Sequence, residues 1–351
     1  MFKYLKFSLA PLTVLTSVYF ATLGGNYMWY FFISFILLIM IGDILLGEDL
    51  SVEEYKNHNF LNAMLYLNLP LLVFLIIIMT FMIDNETVLG FIGYSITIGF
   101  MLGSFAVNVG HELTHRKNKK IDMFFGNWLQ ALCWDNAFSI EHVYGHHKNV
   151  GLHEDGATAR RGEGIYSFMV RSTVHEYINA FNIEKARLLR KKKSIFNKEN
   201  KFFIALSRSI FVSLLIFLIG GFKSLLCYLI AALISKILLE TINYVEHYGL
   251  VREIGKPVKP RHSWNSNTFV SSAFTFYLTR HSAHHEKAHL PYWRLSPYSD
   301  APKMPFGYLT TFFIALVFPF LYRKIMSKKL IEWDQTFASE GEKKIISQLG
   351  H

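Results

Sequence analysis

Six stretches of the chain run for about twenty residues with almost no charge, at roughly 7–24, 28–48, 63–83, 88–109, 202–220 and 224–243. In a helix, about twenty residues rise about 30 Å, the thickness of a bilayer's hydrocarbon core, so each stretch predicts a membrane-spanning helix. They come in pairs joined by very short connections near 24–27, 84–87 and 220–223, which predicts three helical hairpins. The first stretch follows a basic start, as in a signal peptide. No small-residue cleavage site closes it and the next apolar run follows at once, so it reads as a retained span. A further apolar segment at 306–322 is shorter and contains Pro319. Crossing there would carry Arg323, Lys324, Lys328 and Lys329 to the side poor in basic residues, so an interfacial or re-entrant helix is predicted instead.

Charge orients these spans. The three short connections hold one basic residue, Lys223, whereas 111–201 carries Arg116, Lys117, Lys119, Lys120, Arg160, Arg161, Arg171 and a dense basic run over 185–201. The positive-inside rule places both termini, 49–62, 111–201 and 244–351 in the cytoplasm. A chain with 52% apolar and only 18% charged residues does not suit two soluble domains. The expectation is therefore an all-α integral membrane protein, one domain over 1–351, with six transmembrane helices and a cytoplasmic histidine-rich cap. The net charge of +10 fits cytoplasmic basic loops. No basic element stands free of the spans, which argues against a nucleic-acid partner. Two cysteines, Cys133 and Cys227, exclude a disulfide framework and a cysteine-based metal site.

Histidine is the unusual residue, with 15 in the chain, nine of them in four clusters. The first, His111-Glu112-Leu113-Thr114-His115-Arg116, places two imidazoles four apart on one helical face. It also matches the zinc-protease pattern H-E-x-x-H, with Glu112 as general base. The second, Glu141-His142-Val143-Tyr144-Gly145-His146-His147, offers three imidazoles. The third is His247 in NYVEHYGL, and the fourth, Arg280-His281-Ser282-Ala283-His284-His285, offers three more. A single catalytic zinc takes three protein ligands and would leave six unused. Two irons, at about five or six positions each, accommodate His111, His115, His142, His146, His147, His247, His281, His284 and His285 and leave room for O2. Burying so many titratable groups without a metal would be costly. Glu141, Asp155 and Glu246 are the acids expected to accept the other N–H of metal-bound rings. His58, His153, His175, His262, His289 and His351 are isolated and read as structural, with His289 nearest the clusters. Lys236 and Glu240, four apart inside the sixth stretch, read as a structural ion pair.

With HELTHR, EHVYGHH, NYVEHYGL and RHSAHH in view, the chain resembles the membrane-bound alkane 1-monooxygenase (alkane omega-hydroxylase) family, within the fatty acid desaturase-like superfamily. That family's signatures are HELxHK, EHxxGHH, NYxEHYGL and RHSxHH. The segment GLHEDGATARR at 151–161 is also similar, and the resemblance covers about 28–300. Arg116 stands where the family usually has Lys, and His153-Glu154 where it more often has Thr-Pro-Glu. The resemblance implies a non-haem diiron centre in a bacterial inner membrane. O2 and two electrons, from a rubredoxin-type carrier and its NAD(P)H-dependent reductase, would convert the terminal methyl of an alkane or alkyl chain to a primary alcohol. The apolar substrate would enter from the membrane. Desaturation, decarboxylation to a terminal alkene and xylene-type methyl hydroxylation share much of the pattern and are the alternative. The basic run 185–201 offers either a dock for an acidic carrier or contact with anionic headgroups.

Overall fold

A computed structural model describes residues 2–348. Helices form in chain order as α1 (Lys3–Leu23), α2 (Gly25–Leu46), α3 (His58–Asn85), α4 (Val88–Thr114), α5 (Lys120–Leu132), α6 (138–149), α7 (Ile165–Arg190) and α8 (Lys201–His247). The later helices are α9 (Phe269–Phe274), α10 (His281–Glu286), α11 (Tyr308–Val317), α12 (Pro319–Thr336) and α13 (Glu340–Gln348). Among the described residues there is no strand; two isolated bridges, Glu48 to Thr268 and Asn265 to Lys303, tie loops together. The fold is all-α, as the hydrophobic pattern predicts.

Five helices, α1 to α4 and α8, are long and apolar enough to cross a membrane. Their outward faces carry Leu37, Leu38, Ile44, Leu45, Phe81, Leu218 and Phe222, all exposed. Apolar patches of that extent are rare on proteins surrounded by water and suit lipid, which marks a membrane protein.

The helix count differs from the six expected because 202–220 and 224–243 join in one 47-residue element, α8. Straight, it would be about 70 Å long. Ser209 donates to the Ala131 carbonyl at 2.8 Å and Tyr228 to the Leu132 carbonyl at 2.9 Å. A straight helix would hold those two donors about 28 Å apart, so α8 doubles back. The reversal falls at Gly221, whose φ of 68° and ψ of −166° break the helical run. This left-handed region disfavours any residue with a Cβ. Gly24, φ 108°, makes the equivalent turn between α1 and α2. A one-residue reversal leaves no loop to separate the two arms.

The tips of the hairpins gather at one end. The Gly25 N–H donates to Glu86 at 2.8 Å, and Lys223 donates to the carbonyls of Asp84 (2.9 Å) and Glu86 (3.1 Å). The opposite ends of α4 and α8 carry the histidines. Close packing of these two helices depends on small residues: a Cβ on Gly99 would lie 2.6 Å from Ile234, and one on Gly103 would lie 2.8 Å from Leu238. Asp43, polar inside apolar α2, accepts from the Ser271 N–H (2.9 Å) and hydroxyl (2.6 Å) and so fastens α9. The apolar segment at 306–322 forms the ten-residue α11, about 15 Å long and half a bilayer core. Pro319, which lacks a backbone donor, opens α12 rather than extending α11.

Candidate metal centre

Two π-turns set the site. One, 102–107, interrupts α4 just before its histidines; the other spans His142–His146 in α6. In an α-helix, residues five apart diverge by about 140°, whereas the i→i+5 bonding of a π-turn stacks them. The His147 N–H indeed bonds to the His142 carbonyl, and the Nε2 atoms of these two rings come within 3.0 Å. His146 turns the other way, its Nε2 3.3 Å from that of His285.

The nine clustered histidines thereby form two adjoining groups: His111, His115, His142, His147 and His284, and then His146, His247, His281 and His285. Within each group the nitrogens all lie within 4.8 Å of one another. Neighbouring Nε2 atoms are 3.2 Å apart for His111–His115 and His147–His284, 3.0 Å for His247–His281 and 2.9 Å for His281–His285. Two nitrogens bound at right angles to one ion, at about 2.1 Å each, are about 3.0 Å apart. Facing lone pairs repel, and a shared cation relieves that repulsion, so the residues present fit a metal in each group. The two groups touch: the His147 and His285 ring centroids are 4.4 Å apart.

Protonation agrees with this. Burial, reinforced by neighbouring imidazoles, pushes His115, His142, His147, His281 and His285 well below the usual histidine range. Burial, with His146 beside it, brings His284 down to about 3. These rings are neutral at pH 7, with lone pairs free to bind a cation. His146 differs. Burial lowers its pKa, but the Asp155 carboxylate outweighs that and raises it.

Groups behind the rings fix which nitrogen faces inward. Nδ1 of His146 donates to Asp155 at 2.9 Å, and Asp155 is steadied by the Thr158 hydroxyl at 2.6 Å. Nδ1 of His247 donates to the His262 carbonyl at 3.3 Å. His262 is itself held: its Nδ1 accepts from the Lys259 N–H (3.0 Å) and its Nε2 donates to Glu342 (2.7 Å) on α13. Glu141 accepts from Asn179 at 2.9 Å, and burial together with nearby Asp155 pushes it up to about 7. Glu246 stands elsewhere than expected. It accepts from Tyr308 at 2.9 Å, and its other oxygen lies 3.2 Å from Nε2 of His281, the nitrogen facing the group. Glu112, the general base of the protease reading, is engaged instead by Arg116 at 2.6 Å and the Tyr292 N–H at 3.2 Å.

The remaining candidates sort themselves by position. Lys236 pairs with Glu240 at 2.9 Å as expected, and also with Asp135 (3.1 Å) and Glu176. His58 stacks on Trp293, His175 borders a small cavity with Glu141, and His153 is exposed. His351 lies outside the described residues. His289 lines an open vestibule of about 680 Å³ with His115, His147, His285, Arg116, Lys117 and Lys119. On the other side, an apolar cavity between α2, α4, α8, α9 and α11 is walled by Phe35, Phe100, Phe105, Leu238, Phe274 and Phe312. It shares Gly103, Asn108, Ile242 and Leu278 with an inner cavity bounded by His111, His142, Glu246 and His281. The histidines thus lie between two small adjoining apolar cavities and a basic vestibule. Sequence reasoning missed Tyr308, which meets Glu246 from 62 residues away, and both π-turns, which no residue pattern announces.

Comparison with known proteins adds lineage to this geometry. The profile of the fatty acid desaturase family matches residues 86–315, which contain all nine histidines. Alkane 1-monooxygenase 2 of Alcanivorax borkumensis is 36% identical over 71% of this chain and 66% of its own length. Alkane 1-monooxygenase 1 of the same organism is 32% identical over 92% of this chain and 83% of its own. The hydroxylase component of the Pseudomonas putida xylene/toluene monooxygenase is 28% identical over 97% and 93%. The chain belongs to the alkane 1-monooxygenase family, within the fatty acid desaturase-like membrane proteins.

Proposed function

We propose that this chain is a multi-pass membrane enzyme, a single domain whose two histidine groups each hold one non-haem iron. With O2 it hydroxylates the terminal methyl of an alkane or alkyl chain to a primary alcohol. The observation that carries the proposal is the placement of two adjoining all-nitrogen groups at the inner end of an apolar path. The names of the relatives support the choice of reaction. His111, His115, His142, His147 and His284 would hold one iron, and His146, His247, His281 and His285 the other. Iron in such a nitrogen cage supplies O2 activation.

The chain's own residues do the rest. Asp155 and the His262 carbonyl hold the Nδ1 protons of His146 and His247, so that Nε2 faces inward. The Phe-lined path excludes water and delivers a flexible chain end first, so the terminal methyl is the group that reaches the histidines. Electrons would arrive from the opposite side. Arg116, Lys117 and Lys119 rim the vestibule that exposes His115 and His147, and they complement an acidic rubredoxin-type carrier fed by an NAD(P)H-dependent reductase. The run 185–201 is partly compensated, with Lys193 against Glu199 and Arg187 against Glu184, and the vestibule is the better dock. Both termini and the histidine end face the cytoplasm of an inner membrane, consistent with the hairpin tips clustering at the far end.

The test is product analysis of purified protein with rubredoxin, reductase, NADH and 18O2, over n-octane, an alkylbenzene and a fatty acid. A primary alcohol carrying 18O is expected. An O2-dependent product without oxygen, such as an alkene, would overturn hydroxylation.

A further inference from the structure

The apolar path contains a group that a saturated hydrocarbon cannot use. Asn108 is 5% exposed, sits on α4 one turn before His111, and borders both the membrane-side and inner cavities. Its amide nitrogen has no hydrogen-bond partner. Three other polar side chains along the path are engaged: Ser271 with Asp43 at 2.6 Å, Thr275 with the Ser271 carbonyl at 2.8 Å, and Tyr308 with Glu246 at 2.9 Å. A buried donor left unpaired is destabilising and uncommon. Leucine would fill the same space at no such cost, so the amide calls for a partner that comes and goes.

The path itself indicates the partner. The membrane-side cavity is lined by Phe35, Phe100 and Phe312, which suits a hydrocarbon body. The amide lies where such a chain ends, beside His111 and His142. A ligand matching both features is an aliphatic chain with one oxygen at its terminus. We propose that Asn108 is a binding residue for an oxygenated chain end: its Nδ2–H donates to the oxygen of a primary alcohol held in the inner cavity. The inference rests on the hydroxylation reading for why such an oxygen arises there. It deepens that reading by making the site discriminate product from substrate. The alcohol binds more tightly than the alkane it came from and competes with it.

Binding can be measured without turnover. Metal-loaded protein in detergent, with no reductant, is titrated with 1-octanol or with n-nonane, which has the same number of heavy atoms and no oxygen, and the unfolding midpoint is followed. Wild type is expected to bind 1-octanol at least about tenfold more tightly than nonane. Asn108→Leu should bring that ratio close to one, and Asn108→Ser, which keeps a donor, should retain part of it. Affinities are expressed against free ligand, corrected for the separately measured detergent partition of 1-octanol and of nonane, so that the ratio within each protein reports binding alone. An unchanged ratio in Asn108→Leu would overturn the proposal. So would a wild-type ratio of one, which needs no variant to fold. Failure of the hydroxylation reading would register separately, as absence of 1-octanol among the products of n-octane.

Discussion

His146 and His247 depend on what stands behind them. Asp155 accepts the Nδ1 proton of His146 and the His262 carbonyl that of His247, so each ring presents Nε2 to its group. Asp155→Ala would leave a buried N–H unpaired and free the ring to change tautomer. Removing such an outer partner typically weakens metal binding about 10- to 100-fold. That loss is expected here, read as metal retained after dialysis against graded chelator. Much at this scale is legible in the sequence. The nine histidines declare themselves by clustering, and Asp155 by following the second cluster at short range. Glu246 does not: adjacency to His247 says nothing of which side its carboxylate reaches, and its partner Tyr308 comes from a distant segment. Asn108 shows in the sequence only as a polar residue in an apolar run.

Elements repeat the lesson on a larger scale. Hydrophobic runs locate α1 to α4 and both arms of α8, because burial in lipid needs about twenty apolar residues whatever the packing. They do not reveal the π-turns, since an inserted residue leaves composition unchanged while it turns His147 toward His142. They also count α8 as two helices, because the reversal at Gly221 takes a single residue. A Cβ at Gly221 would meet nothing within 4 Å, so Gly221→Ala isolates the conformational cost. It should destabilise by about 1–3 kcal/mol with metal content unchanged, measured by unfolding midpoint and elemental analysis. A stabilised variant would contradict the reversal. For α13, burial raises the Glu342 pKa, but hydrogen bonds from His262 and Arg261 bring it down to about 2. A carboxylate depressed on folding stabilises at pH above its unfolded value of about 4.5 and loses that contribution as pH falls toward 2. Amide exchange of 340–348, corrected for intrinsic rate, should be protected at pH 5 and lose protection at pH 3. Equal protection at both would remove Glu342 as the anchor.

Across the whole molecule, the hairpin tips meet at one end and the histidine clusters at the other. Charge bias predicts that all clusters share one side of the membrane, and the fold is consistent with it. The basic vestibule and the apolar path are not legible, because each is walled by residues from four or five elements that only packing brings together. On the proposed reading the two faces have separate tasks: electrons would approach through water past Lys117 and Lys119, and hydrocarbon through lipid past Phe35 and Phe312. That division rests on two metal ions between them. Elemental analysis of the purified chain tests this most directly. Two irons per chain are expected, whereas a single metal ion, or one zinc in place of iron, would contradict it.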